Sequence, residues 1–485
     1  MSLNLAPKFP VQIFNDPRTT DLHKTIKQTY RSVFEGKASD GVYYPFHIKR
    51  EFKKYLTCGV PVYGMARFQC SICQKDKFVA YSCKGRTICP RCNGRRMADT
   101  AKHLVEEVIP DVEVRQWVLS MPYNHRFILS SDQKLLSKIL KIFHRVINSH
   151  YIKKAKQKNL VDPNTGAVTV IQRFGGALNL NIHFHSLYID GVFHTDINGN
   201  QIFYKFSPTD EEVAGLTALL HRRINRAFYR AGYLKEDNDK ELYENNSQLD
   251  LIKSQSVCNL VDNYERPKSI GKYWHPPFVE FSGPKCCSFE GFSLHANTKI
   301  RKGDRGALEK LCRYVCRGAI SKDRISQDES GLVILKLKSA YTDGTTHIKF
   351  TAEQFIKRII ALIPPPRVNL IRYYGVLGAR HKNRSEVTSK ARAKKIKKTD
   401  KKKKKTYHTP WAELMKHVFH YEVDICDHCG SKLKFIASIT SPIECRKILK
   451  HINIDHTEVS ADSPRGPPEE KFEFELEDFD QSTIW

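Results

Sequence analysis

The sequence predicts an α+β protein, built on a central antiparallel sheet with helices and flanked by a cysteine-rich module at each end. Three observations predict it. Residues 112–120, 167–174 and 179–190 have strand character, and Gly175-Gly176 between the last two suits a tight antiparallel pair. Between the first two, Leu135, Leu136, Ile139, Leu140, Phe143 and Ile147 recur at helical spacing over residues 131–158. Cys-x-x-Cys pairs stand at 70/73, 89/92 and 426/429. A strand, a long helix and an antiparallel pair describe a sheet with helices on one face.

Lys and Arg total 80 against 52 Asp and Glu, a net charge of +28. Such an imbalance favours a polyanionic partner, nucleic acid above all. No apolar run is long enough to cross a bilayer, and MSLNLAPKFPVQIF lacks the pattern of a secretory signal. The expected location is therefore the cytoplasm. In that reducing compartment the 14 cysteines point to metal binding rather than disulfides.

Residues 1–57 are expected to form a helical arm, and residues 58–105 a zinc-binding, DNA-binding module. Two Cys-x-x-Cys knuckles, Cys70/Cys73 and Cys89/Cys92, are separated by fifteen residues and would together complete a tetrahedral Zn²⁺ site. Cys58 and Cys83 are surplus, and either could replace a member. Four thiolates leave no open position, so the zinc is structural. Lys84, Arg86, Arg91, Arg95 and Arg96 around it suit DNA phosphates.

Residues 106–330 form the expected central α+β domain. The strand 112–120 stops at Met121-Pro122. In the strand Asn179 to Gly191, closed by an Asp190-Gly191 turn, His183 and His185 point one way, and Ile182, Phe184 and Leu187 are assigned to the other. Two imidazoles side by side form two-thirds of a divalent-metal site. Phe203–Phe206 reads as a short strand, and Thr209-Asp210-Glu211-Glu212 as a capping box opening a helix to about Tyr233. Residues 289–297, including His295, read as one strand. Asp304 caps a helix to about Arg317, with Leu308, Leu311, Cys312 and Val315 as its buried stripe. Tyr314 lies beside that stripe, next to Lys310 and Arg317. It is either a nucleophile at a cleft edge or a ring packed at the core boundary, the commoner fate of a helical tyrosine.

Residues 331–378 read as a hairpin through Asp343-Gly344 followed by a helix from Ala352 to Leu362. Residues 379–406 are a basic linker, with 14 Lys or Arg between 380 and 405. Residues 407–454 hold the knuckle Cys426/Cys429, with further ligands sought among His408, His417, His420, His428 and Cys445. Residues 455–485 form an acidic tail that is expected to lie in the basic DNA channel and weaken non-specific binding.

These pieces together resemble a known family. The resemblance rests on Cys70-Ser-Ile-Cys73, Ser82-Cys83-Lys84-Gly85-Arg86, Cys89-Pro90-Arg91-Cys92 with Arg95-Arg96-Met97-Ala98-Asp99-Thr100, and Val114 through Ser120. It continues in Gln172-Arg173-Phe174-Gly175, Asn179 through His185, Leu311 through Arg317, Ile371 through Leu377 and the Cys426 knuckle. The chain resembles a rolling-circle transposase of the HUH class, in the IS91-like family and near its ISCR branch. The resemblance implies an HUH nuclease domain on the nucleoid of a bacterium. His183 and His185 would hold Mg²⁺ or Mn²⁺, and Tyr314 would be the nucleophile that forms a 5′-phosphotyrosine. Some relatives carry a second tyrosine four residues earlier; here that position is Lys310, so the likeness is to the single-tyrosine branch. For the third metal ligand Gln172 is the first choice and His295 the alternative. Lys310 and Arg317, placed by the helical wheel, would assist the phenol or clamp the phosphate. The partners are single-stranded DNA at the ends of the element and target DNA, with self-association open. The competing readings are a non-catalytic zinc-knuckle DNA-binding protein and a replication initiator or relaxase.

Overall fold

The structure, a computed structural model, describes residues 17–34, 44–234, 249, 252–253, 256, 279–341, 343–388, 423–452 and 454. The acidic tail, the basic linker from residue 389 onward, and His408, His417 and His420 lie outside the described residues.

The central sheet runs Ile371–Gly375, Gly166–Phe174, Leu180–Ile189, Val114–Ser120, Phe292–His295, Cys286–Phe289 and Glu280–Gly283 in spatial order, every pair antiparallel. An eighth strand, Lys299–Ile300, pairs with Val114–Ser120. The expected single strand over 289–297 is instead the second half of a tight hairpin. Glu290 and Gly291 both take positive φ, and Phe292 pairs back on Phe289. Two consecutive left-handed residues make a turn whose twist matches its strands.

Alternation along the strands divides the side chains between two covered faces. Ile182, Phe184, Tyr188, Trp117 and Leu119 pack with Leu136, Ile139, Leu140 and Phe143 of the helix Gln133–Gln157. Asp132 caps that helix, accepting from Leu135 N at 2.8 Å. On the opposite face Val168, Val170 and Leu187 meet Leu308, Leu311, Cys312 and Val315 of the helix Arg305–Val315. Each such side chain contributes about 1.5–3 kcal/mol on burial. Helices therefore cover both faces, not one. Gly166–Phe174 shows why, being buried at every position but its last. Leu187 also corrects the face assignment. It stands two residues from His185, and so on the histidine side.

Asp190 is not a hairpin turn either. The chain passes through it into the strand Gly191–Thr195, and its buried carboxylate takes two 2.8 Å hydrogen bonds from Arg115 and one of 2.9 Å from Tyr151. The chain can carry this charge inside because all its partners converge on it.

The edge strand Ile371–Gly375 ends in a glycine for a steric reason. Gly375 has φ +56°, and a Cβ there would collide with the Thr165 carbonyl. Gly375→Ala is expected to lower unfolding stability by about 2–4 kcal/mol, measured by urea denaturation.

The N-terminal helices Asp21–Phe34 and Phe46–Leu56 pack into the main core. Beyond them, Met65–Cys70 forms a small sheet with Asp76–Ala80 on one side and Leu433–Ile439 on the other. The two cysteine-rich ends of the chain thus fold together.

Candidate active site

The two histidines sit near the middle of the central sheet, their ring centroids 4.9 Å apart. His183 Nδ1 donates to the Asn181 carbonyl at 2.8 Å, which leaves Nε2 with its lone pair. His185 Nδ1 lies 2.7 Å from the Gln116 side-chain amide nitrogen, and a flip of that amide puts its oxygen there instead. With the amide oxygen turned to an Nδ1–H, Nε2 of His185 is freed in the same way; which way an amide points follows from its network. Gln116 escaped the sequence reading. It is two residues from Val118, which pairs with His185, so strand alternation places it on the histidine face.

Burial lowers the pKa of His183 to about 4, helped by the charges of Arg126 and Arg317. It lowers that of His185 to about 3, helped by His183 and Arg317. Both rings are neutral at pH 7, the form that binds metal. Burial also lowers His125 to about 4 and holds His144 well below its ordinary range. An unfolded imidazole titrates near 6.5. Between about pH 6.5 and pH 4 the unfolded chain binds protons that the folded chain refuses, so stability rises with pH across that window. The urea midpoint is expected to be lower at about pH 5 than at about pH 7.

Gln172 stands directly opposite His183 on the neighbouring strand. Its amide nitrogen donates to the Val315 carbonyl at 2.8 Å, while its buried Oε1 has no hydrogen-bond partner among the described residues. Leaving such an oxygen unpaired costs about 1–3 kcal/mol, so it calls for a ligand. His295 pairs with Val118, which itself pairs with His185, so it stands two strand spacings from that histidine. At about 4.8 Å per spacing, Gln172 is the nearer donor. The three groups fit a divalent cation that prefers oxygen and imidazole ligands.

Tyr314 closes the arrangement. The stripe Leu308, Leu311, Cys312 and Val315 pins its helix to the histidine face, and the phenol is left 48% exposed at the edge. Its ring centroid is 6.0 Å from that of His185, nearly perpendicular to it. The Arg317 guanidinium stands 4.5 Å from the centroid of the Tyr314 ring, and Lys338 Nζ 5.5 Å. Lys310 is exposed one turn earlier on the same helix. Lys338 was not anticipated; it follows the strand Val333–Lys336, far from Tyr314 in sequence.

The cysteines group differently from the expected pairing. Cys58, Cys83, Cys89 and Cys92 form one cluster, and Cys70, Cys73, Cys426 and Cys429 a second. In the first, Cys58–Cys89 and Cys83–Cys92 sulfurs are 3.6 and 3.4 Å apart; in the second, Cys70–Cys429 and Cys73–Cys426 are 3.4 and 3.6 Å apart. A tetrahedral zinc with ~2.3 Å bonds needs sulfurs about 3.8 Å apart, so both sets fit. Each N-terminal knuckle takes its own partners: the supposed surplus cysteines complete the first site, and the C-terminal knuckle completes the second. Cys445 is buried elsewhere, with its thiol on the Ile439 carbonyl at 3.7 Å, and His428 belongs to neither cluster. Of the basic residues beside the first site, Lys84, Arg86 and Arg96 are exposed. Arg96 also donates to the Lys84 carbonyl at 2.7 Å and Arg86 to that of Val368 at 3.3 Å.

Among the described residues no helix is long and apolar enough to cross a membrane. A model of the transposase zinc-binding domain (Zn_Tnp_IS91) matches residues 26–121, and a transposase model (Y2_Tnp) matches residues 166–386. No curated protein and no solved structure matches. The first match contains the whole buried cysteine cluster, and the second spans Gln172, both histidines and Tyr314. The chain belongs to the IS91-like transposase family.

Proposed function

We propose that the protein cuts and rejoins single-stranded DNA at the ends of its element through a 5′-phosphotyrosine at Tyr314, in a rolling-circle, HUH-type reaction. The observation that carries this reading is the convergence of Tyr314 and an unpaired Gln172 oxygen on the neutral His183–His185 pair. His183, His185 and Gln172 would hold Mg²⁺ or Mn²⁺, which would supply positive charge at the scissile phosphate. Tyr314 Oη attacks phosphorus. The P–O bond to the 3′ oxygen breaks, the 3′-OH departs with a proton, and the DNA 5′ end stays on the tyrosine. Arg317 and Lys338 offset the charge that grows on the phosphate and the phenol oxygen. Attack by a 3′-OH on the phosphotyrosine reverses the sequence and joins strands, with no net loss of phosphodiester bonds.

Single-stranded oligonucleotides from the element's ends, labelled at the 3′ end and incubated with the protein and Mn²⁺, should give a labelled covalent adduct on a denaturing gel. Cleavage that yields only free fragments would replace this reading with simple hydrolysis.

A further inference from the structure

A cavity of about 590 Å³ opens beside Tyr314, between the buried zinc site and the catalytic sheet. One wall is the first turns of the helix Pro90–His103, including Gly94 and Met97; the other is Phe174-Gly175-Gly176, the continuation of the strand that carries Gln172. The Arg317–Arg324 segment, Lys338 and, from the N-terminal segments, Pro17, Thr20, Leu22 and Tyr55 line the rest. Its size is that of a site for a molecule of a few hundred daltons.

Its chemistry is divided in a particular way. Arg91, Arg317, Lys322, Arg324 and Lys338 line it, and among the described residues no Asp or Glu does. Arg317 and Lys338 are the same two cations that stand over the Tyr314 ring. The Arg317 Nε and Nη1 atoms are buried without a hydrogen-bond partner among the described residues. Met97, Phe174, Ala319 and Ile320 supply apolar and aromatic surface. A cationic rim at the nucleophile leading onto an apolar, aromatic-lined interior matches a phosphate with a flat heterocycle attached.

We propose that this cavity receives an unpaired base of single-stranded DNA next to the phosphate at Tyr314. The helix that begins at Cys89 and Cys92 forms one wall, so the buried zinc site shapes this base pocket as well as holding the module together. The identity of the occupant rests on the function proposed above; occupation itself does not depend on cleavage.

Two glycines make a direct test possible. A Cβ at Gly94 or at Gly176 would meet nothing within 4 Å, and neither residue has a positive φ. Both glycines line the cavity, so a large side chain at either position has room beside it without backbone strain, and at Gly94 it also suits a helix better than glycine does. Binding is measured by fluorescence anisotropy without added Mg²⁺ or Mn²⁺, so that chemistry plays no part. The probes are an unstructured mixed-sequence oligonucleotide of about 20 nucleotides and its fully abasic counterpart, which keeps every phosphate. Wild-type protein should bind the base-bearing strand about ten-fold more tightly, the scale of stacking one base. Gly94→Trp and Gly176→Phe, each retaining wild-type zinc content, should both bring that ratio close to one, while Gly94→Ala keeps it. A wild-type ratio that persists in both bulky variants, or a wild-type protein that binds the two strands equally, overturns the proposal. A base preference without any covalent adduct would uphold this pocket and remove the phosphotyrosine reading instead.

Discussion

Tyr314→Phe is expected to abolish the covalent protein–DNA adduct, a loss of at least about a thousand-fold in adduct formation. The variant removes one oxygen and keeps the ring. Its edge-on contact with His185 and the guanidinium of Arg317 above it remain, so stability and strand binding should hold. Quantifying labelled adduct beside binding affinity therefore separates chemistry from folding. An adduct undiminished in Tyr314→Phe would force the nucleophile elsewhere, and the tyrosines of the 371–377 segment are poor candidates. Tyr374 stacks on His144 at 3.5 Å, on the sheet face opposite the histidine pair. Tyr373 packs in the apolar cluster beneath the Tyr314 helix, and burial raises the pKa of both phenols.

Loss of the buried zinc site is expected to be the most damaging single change to the fold. Cys58, Cys83, Cys89 and Cys92 are all buried and belong to the same core as Trp117 and the N-terminal helices. Structural zinc supplies about 10–16 kcal/mol in small modules, as much as the whole stability of an ordinary domain. Cys92→Ser should give a chain without cooperative unfolding. Cys429→Ser should behave differently, because Cys429 is exposed and its site lies at the rim of a three-stranded sheet. That variant is expected to fold with about half the zinc of the wild type, since one of the two clusters stays intact, and to be cut more readily by protease within 423–452. Metal analysis with limited proteolysis checks both. Equal damage from the two substitutions would show that the sites are not separable.

What was readable in the chain was local. The stripe Leu308, Leu311, Cys312, Val315 and the cap Asp304 specify a helix without tertiary help, and the capping box at Thr209 and Glu212 forms as its spacing requires. Period-two alternation placed His183 and His185 together. What was not readable is contact between distant segments. Nearness in sequence favours joining Cys70/Cys73 to Cys89/Cys92, yet the partner knuckle lies 353 residues beyond Cys73. Nor does any local pattern tell that Gln116 holds His185, that Lys338 reaches Tyr314, or that helices cover both sides of the sheet. The run Val168 to Ile171, apolar but for Thr169, carries that last signal weakly, because such a run fits a buried helix as well.

The second cysteine cluster, joining the two ends of the chain, also has a consequence for synthesis. Cys70 and Cys429 are 359 residues apart, so at about 5–20 residues per second the ribosome needs roughly 20–70 s between making the first ligand and the last. Throughout that interval the Cys70/Cys73 knuckle is half a site, and the edge of Met65–Cys70 that receives Leu433–Ile439 has no strand beside it. A nascent chain that stops early leaves that edge bare and sticky. Closure of the second cluster thus serves as a receipt for translation through residue 429.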